Sequence, residues 1–412
     1  MFGPELTTPP PVDAVLAKGY AEVDRACRKR EPKPSGAPIR QAIATALKPG
    51  EGPKMILRPL TLSASLVAAC LLAGACSPAN EETVEVAEGA PVHWRMTSTF
   101  PSSLIMLGTM GKRIETELLR VSGGNIEIKF HEPGALAPAL EGFDVVSYGA
   151  IEAGWSTSGY WAGKVPALQL FGSVPFGPDA PEYLAWYYHA GGRQLFEEIY
   201  AKHNIHGIIC GATAPEASGW FKTEINTVED LRGKKIRYFG LGALVLEKLG
   251  ASAQLLAGGD ILPALELGTI DGAEFSMPAV DYAMGFWQAA KFYYFPGWHQ
   301  QSTFYELIIN LDAWHSLSDT QQAQIEVVCG DNVRHGIAEG EAIQMAALRA
   351  IEERGVTLKT WPDELLLAFE AAWLEVVGEL VDADEDFARV WQSLSTFRQD
   401  YTIWRQRGYL KR

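Results

Sequence analysis

The chain has 412 residues, enough for two or three domains and a substantial core, and 47% hydrophobic residues with 12 tryptophans exclude disorder throughout. Its formal net charge is -15, while residues 1–58 carry 10 basic and 6 acidic groups, a net of +4 that leaves -19 for the remainder. That surface argues against DNA, RNA or an anionic membrane as the main partner of the folded part.

Residues 1–54 are rich in proline and basic groups and lack a sustained apolar face. From Met55 the text changes to MILRPLTLSASLVAACLLAGAC. Arg58 precedes an uncharged run from Pro59 to Ala75, which is the order of a secretory signal and too short for a confident spanning helix. The economical reading starts translation at Met55 and makes 1–54 an upstream extension; a single long leader is the alternative. Ala73-Gly74-Ala75 suits signal cleavage, and together with Cys76 it also resembles a bacterial lipoprotein box, apart from Ala73 where leucine is usual. Residues 55–76 are then the signal, Cys76 is a candidate lipid anchor, and 77–90 form a polar tether. Both routes place the folded part beyond the inner membrane, in the periplasm.

Val92–Thr97 reads as a strand, followed by a helix from Leu104 to about Val121 capped by Ser102 or Ser103, and a second strand at Asn125–Phe130. Ala139–Tyr148 is helical and Ile151–Gly154 extended. A helix over Tyr183–Lys202 then leads to the strand Ile205–Cys210. The next unit is the most informative: strand Lys235–Phe239, glycine turn, helix Ala243–Leu249, strand Ala253–Leu256, helix Ile261–Leu267, and a short extended end at Ala273–Phe275. Phe292–Phe295 and Tyr305–Asn310 are strand-like. Helices follow at Asp319–Glu353, Pro362–Gly378 and Phe387–Tyr401, with a short strand at Val356–Leu358.

Strands alternating with helices in two similar halves predict an α/β fold with mostly parallel sheets and ligand loops at the strand ends. The expected boundaries are 91–215 for the first domain with the start of the crossover, 216–310 for the second, and 311–412 for a helical region completing both. Arg237 stands out, because its planar fork of donors matches a carboxylate or phosphate. A solvated arginine at a strand edge is the plainer reading of the same position.

No catalytic set emerges. The histidines, His299 among them, show no zinc-site spacing, and there is no GxSxG elbow, phosphate loop or complete dinucleotide fingerprint. Cys210 and Cys329 each end an apolar segment, so buried free thiols are expected rather than a disulfide.

Several segments resemble the solute-binding proteins of tripartite ATP-independent periplasmic (TRAP) transporters, in the branch that binds 2-oxo acids and related small carboxylates. The matching text includes Gly219-Trp220-Phe221, Val228 to Leu231 with Gly233, Lys235 and Arg237, and Ala257-Gly258-Gly259-Asp260-Ile261. It continues through Gly268-Thr269-Ile270-Asp271, Ala273-Glu274 and Tyr293 to Trp298, in order and at the right spacing. The resemblance implies a two-domain periplasmic-binding-protein fold closing over one small monocarboxylate, with long C-terminal helices. It also implies transfer of the solute to a small and a large membrane subunit, with no turnover.

Carried over residue by residue, Arg237 is implied as the carboxylate clamp. Glu216, Glu274, Phe275 and Gln300 are implied around a hard cation, calcium or sodium, with Phe275 offering a backbone oxygen. An acid and an amide look exchanged between Glu216 and Gln300 relative to the family pattern. Ser158 and Tyr160 correspond to ligand-facing residues, Gly159 replaces a bulkier aromatic and so would enlarge the pocket, and Trp220, Phe275 and Trp298 are expected to wall the site. An all-oxygen set suits a hard cation, although Glu216 and Glu274 taken alone read as surface residues. Two alternatives stand beside this reading: a secreted metal-dependent lyase or hydrolase acting on a small carboxylate, and a sensory ligand-binding protein. The aromatics after Phe387–Tyr401 leave two further options open, a homodimer through the last helix or a fold back onto the same subunit.

Overall fold

The structure, a computed structural model, describes residues 89–410. The expected extension and signal, all but the end of the tether, and Cys27, Cys70 and Cys76 lie outside those residues. The described chain opens with β1 (Val92–Ser98), α1 (Leu107–Val121), β2 (Ile126–Phe130), α2 (Gly142–Ser147) and β3 (Ala153–Ser156). Helices α3 (Ala180–His189) and α4 (Gly192–Ala201) lead to β4 (Ile205–Ala212). A second alternating run contains β5 (Gly219–Phe221), β6 (Lys235–Arg237), α5 (Gly240–Lys248), β7 (Ser252–Gln254), α6 (Gly258–Leu267), β8 (Gly272–Ala273), α7 (Pro278–Met284) and β9 (Phe292–Phe295). Then come β10 (Phe304–Asn310), α8 (Asp319–Glu353), β11 (Thr357–Thr360), α9 (Asp363–Ala383) and α10 (Glu385–Gly408).

The strands form two mixed sheets, ordered β2-β1-β3-β10-β4 and β11-β9-β5-β8-β6-β7. This is the α/β two-domain binding fold that the resemblance implies, but the sheets are mixed rather than mostly parallel, because β10 and β5 each run antiparallel to both of their neighbours. In the first sheet β1 runs parallel to β2 and β3, while β10 is antiparallel to β3 and β4. In the second, β6 is parallel to β7 and β8, and β5 is antiparallel to β8 and β9. Central β3 and β10 are buried along their whole length, as strands covered on both faces must be, whereas edge strand β2 alternates buried and exposed positions.

The backbone passes from the first sheet to the second between β4 and β5, and returns between β9 and β10. Phe304–Asn310, counted with the second half by sequence, therefore hydrogen-bonds into the first sheet, with Glu306 opposite Ser156. Helix α8 packs against β4 and α1 of the first half and against α7 of the second. The two crossings, 213–218 and 296–303, carry most of the residues that matter below.

Three local expectations change. Helix α1 begins at Leu107, because Leu104 donates into a turn to the Pro101 carbonyl and Met106 sits at φ 63°. Neither Ser102 nor Ser103 caps it; Ser102 gives its amide and hydroxyl to Glu132 instead. The single helix over Tyr183–Lys202 is two, since Gly191 turns the chain at φ +92°, a conformation that suits glycine. Cys210 and Cys329 form a disulfide rather than two free thiols. Helix α8 lies so close on β4 that Asn332 reaches the Cys210 carbonyl at 2.7 Å, which brings together two cysteines separated by 119 positions.

Candidate functional site

Arg237 ends β6, between β8 and β7, so it is an interior strand residue and is only 1% exposed. Burying a guanidinium demands partners on every side. Nη1 donates to Glu274 Oε2 at 3.0 Å and to the Glu274 carbonyl, and Nε donates to the Leu256 carbonyl at 3.2 Å. The Phe275 ring lies 5.3 Å from the guanidinium carbon, within cation–π range. The plainer reading of a solvated edge arginine is thereby excluded.

Glu274 follows β8 directly and is fully buried. Its Oε2 accepts from Arg237 and from the Phe239 amide at 3.1 Å, while His299 Nε2 stands 3.5 Å from Oε1. Glu216 comes from the first crossing and is also buried. Its amide donates to the Gln300 carbonyl at 3.1 Å, which ties the two crossings together. Gln300 Nε2 donates to Thr303 Oγ1 at 2.6 Å, and that hydroxyl donates to Glu216 Oε1 at 2.6 Å. Both glutamates, surface residues if read alone, are thus interior.

Three acceptors in this cluster receive no hydrogen bond: Glu216 Oε2, Glu274 Oε1 and Gln300 Oε1. Buried oxygens without donors are rare and call for a partner. Ligand atoms of Glu216, Glu274 and His299 all lie within 4.8 Å of one another, a spacing that fits a metal ion. Electrostatics distinguishes the two acids. Burial and the nearby Glu274 charge push Glu216 well above the usual carboxylate range, against the Thr303 hydrogen bond and Arg237. Burial also pushes Glu274 up, but Arg237, His299 and the Phe239 amide hold it below its ordinary value.

Tyr160 lies in the first-half turn Ser158–Trp161, near enough to Arg237 to feel its charge. Burial raises its hydroxyl to about 12, with the Arg237 charge opposing. Ser158 is buried in the same turn. The space at Gly159, expected to enlarge the pocket, is filled by the Phe239 ring. Trp298 stacks on Phe369 at 4.7 Å and on Phe176 at 5.6 Å. Trp220 stacks on Tyr293 at 4.0 Å and donates its indole N–H to Asp281 at 2.9 Å, so it supports the site from the second-half core. Beside Phe275 a cleft of about 420 Å³ opens between the halves, lined by Thr99, Phe100 and Leu104 on one side and Gly258, Phe275 and Met284 on the other.

Sequence reading set His299 aside for want of zinc spacing and did not single out Thr303. The signal was adjacency: His299 precedes Gln300, and Thr303 follows it by three within one crossing. Asp281 was missed because nothing local marks an aspartate on a short helix as buried.

The sequence profile of DctP, the bacterial extracellular solute-binding protein family 7, matches residues 98–384, and the chain belongs to that family. A monocarboxylate 2-oxoacid-binding periplasmic protein of Nostoc is 33% identical over 351 residues, 84% of this chain and 95% of that one. A TRAP transporter solute-binding protein of Bordetella bronchiseptica is 33% identical, with a TM-score of 0.76 over 77% of this chain and 95% of its own. Its structure is a mixed-occupancy dimer with copurified calcium and picolinate at one active site and an apo site at the other. A TRAP periplasmic protein of Pseudoalteromonas atlantica, with sodium and pyruvate bound, is 31% identical, with a TM-score of 0.73 over 77% and 96%. This family captures solutes for TRAP transport and does not turn them over, which removes the lyase or hydrolase reading.

Proposed function

We propose that this protein captures a small monocarboxylate, a 2-oxo or 2-hydroxy acid, together with a hard cation, and hands the acid to the small and large membrane subunits of a TRAP transporter. One observation carries the reading: a buried arginine faces a buried group of acceptor oxygens that lack donors. Glu216, Glu274 and Gln300, with a Phe275 backbone oxygen, would hold calcium or sodium, and His299 would stand beside them. The acid's own carboxylate and 2-oxygen would complete the shell. Because Arg237 Nε and Nη1 are committed to Leu256 and Glu274, the substrate carboxylate would meet Nη2 and the Tyr160 hydroxyl. Two parallel bonds from the guanidinium alone, the simplest expectation for an arginine clamp, are not required.

Calorimetric titration with 2-oxo, 2-hydroxy and simple carboxylates, with and without calcium or sodium, tests both halves. Arg237→Met should fold and should lose on the order of 2–5 kcal/mol of binding, much of it from leaving the partner charge unpaired. Equal affinity in that variant would remove the assigned anchor. Binding that survives chelator in sodium-free buffer would remove the cation only. Two further proposals concern the chain ends. Cys76 carries the lipid anchor, to be checked by palmitate labelling of parent and Cys76→Ser. The exposed Ile403 and Trp404 in the last turns of α10, with Leu410 just beyond it, dock a second copy, to be checked by light scattering before and after removal of 384–412.

A further inference from the structure

Phe239 belongs to the second half, between β6 and α5, yet the tip of its ring sits on the backbone of Gly159 in the first-half turn. A methyl group at Gly159 would overlap that ring, with Cε1 only 2.7 Å away. Gly159 is not among the positive-φ residues, so its backbone alone does not demand glycine. The ring does.

Neither partner has room to retreat. Behind the turn, a Cβ on Gly172 would lie 3.1 Å from the Gly159 nitrogen, which shows how tightly this backbone is packed from the rear. On the other side the Phe239 amide is held by the Glu274 carboxylate at 3.1 Å. The Tyr160 ring meets Phe239 edge-on at 4.9 Å, and Phe239 is buried. Glu274 is thus bonded at one oxygen to the residue that touches the opposite half, while its other oxygen receives no hydrogen bond and stands 3.5 Å from His299 Nε2, a member with Glu274 and Glu216 of the candidate cation cluster.

We propose that Phe239, seated on Gly159, is the positioning residue that locks the two halves over the bound acid, with Glu274 linking the lock to the cation and anion site. This rests on the carboxylate-binding reading above. Physically, closing requires the ring to fill the space that the missing side chain leaves; a filled Gly159 stops the halves short.

The test is a cycle on the full protein with Gly159→Ala, Phe239→Ala and the double variant, read by acid dissociation rate and by the X-ray scattering radius of gyration. Gly159→Ala should speed dissociation about tenfold with Phe239 present and have no effect with Phe239→Ala, a coupling that general destabilisation does not produce. The radius should follow the same pattern, larger for Gly159→Ala alone. An unchanged Gly159→Ala, or an equal penalty in both backgrounds, overturns the lock. If the parent binds no acid, the carboxylate reading fails, and the radius pattern alone decides whether Phe239 locks the halves.

Discussion

Glu306 in the first half and Asp281 in the second occupy matching chemical settings. Glu306 accepts from Trp161 Nε1 at 2.7 Å and from the Tyr200 hydroxyl at 2.6 Å. Asp281 accepts from Trp220 Nε1 at 2.9 Å and from the Tyr293 hydroxyl at 2.8 Å. Each is buried, and burial, opposed by its indole and phenol donors, raises each to about 7. They differ in what they hold. Asp281 also takes the Ser276 amide at 3.1 Å, directly after Glu274 and Phe275, so it fixes the charged floor of the site from behind. Glu306 holds Trp161, the neighbour of Tyr160, and so steadies the neutral wall. The second half therefore combines a buried acid with the charges of the site, and the first half keeps its buried acid apart from them.

The largest expected effect comes from removing each acid without a substitute acceptor. Asp281→Leu strands three buried donors and should cost about 4 kcal/mol of stability, and Glu306→Leu, which strands two, about 3 kcal/mol. Urea unfolding of both variants checks the order; a reversed order would break the comparison. Acid binding sharpens it. Asp281→Leu should weaken the cation contribution by releasing the Glu274–Ser276 segment, while Glu306→Leu should weaken acid binding with the cation dependence kept. Titrations at several calcium and sodium concentrations separate the two.

A smaller effect, about 2–3 kcal/mol, is expected from the covalent tie between β4 and α8. Cys210→Ser with Cys329→Ser, or reductant on the parent, should lower the unfolding midpoint while leaving acid affinity almost unchanged, since the tie lies in the first half and away from the anchor. A loss of affinity matching the loss of stability would show that the site depends on that helix–strand contact more than its geometry suggests.

How much of this was legible follows from the range of each signal. Asp319–Glu353 was readable to the residue, because Ser318 and Gln321 form a capping box and the helix continues without proline. Arg237 was marked by its donor fork and Glu274 only by the family resemblance, and nothing local showed that either side chain is buried. The Cys210–Cys329 pairing was not, because nothing over 119 intervening positions marks two cysteines as neighbours. Trp161 with Glu306, 145 positions apart, and Trp220 with Asp281, 61 apart, are invisible for the same reason. Gly159 was noticed as small, but the residue that fills its space comes from the other half. Long-range packing decided each of these.

The smallest effect tests the isolation of Glu306 by pH. Its unfolded carboxyl titrates near 4.5 and its folded one near 7, so between these values the native state holds more protons than the unfolded chain. Stability from this group is therefore full below about pH 4.5 and falls as pH rises through 7. Between pH 5 and pH 7 the parent should lose about 2 kcal/mol from Glu306 alone. Glu306→Gln keeps an oxygen that can accept from Trp161 and Tyr200 but does not titrate. It should start less stable at pH 5 and close the gap on the parent by about that amount at pH 7. Asp281 titrates in both proteins, so subtracting the two curves cancels it. Thermal or urea unfolding at half-unit pH steps measures the difference; a gap that stays constant would mean that Glu306 does not change protonation between the folded and unfolded states. A gap that shifts with added acid or cation would instead mean that the first-half carboxylate senses the site, and that the two halves are less independent than their hydrogen bonds indicate.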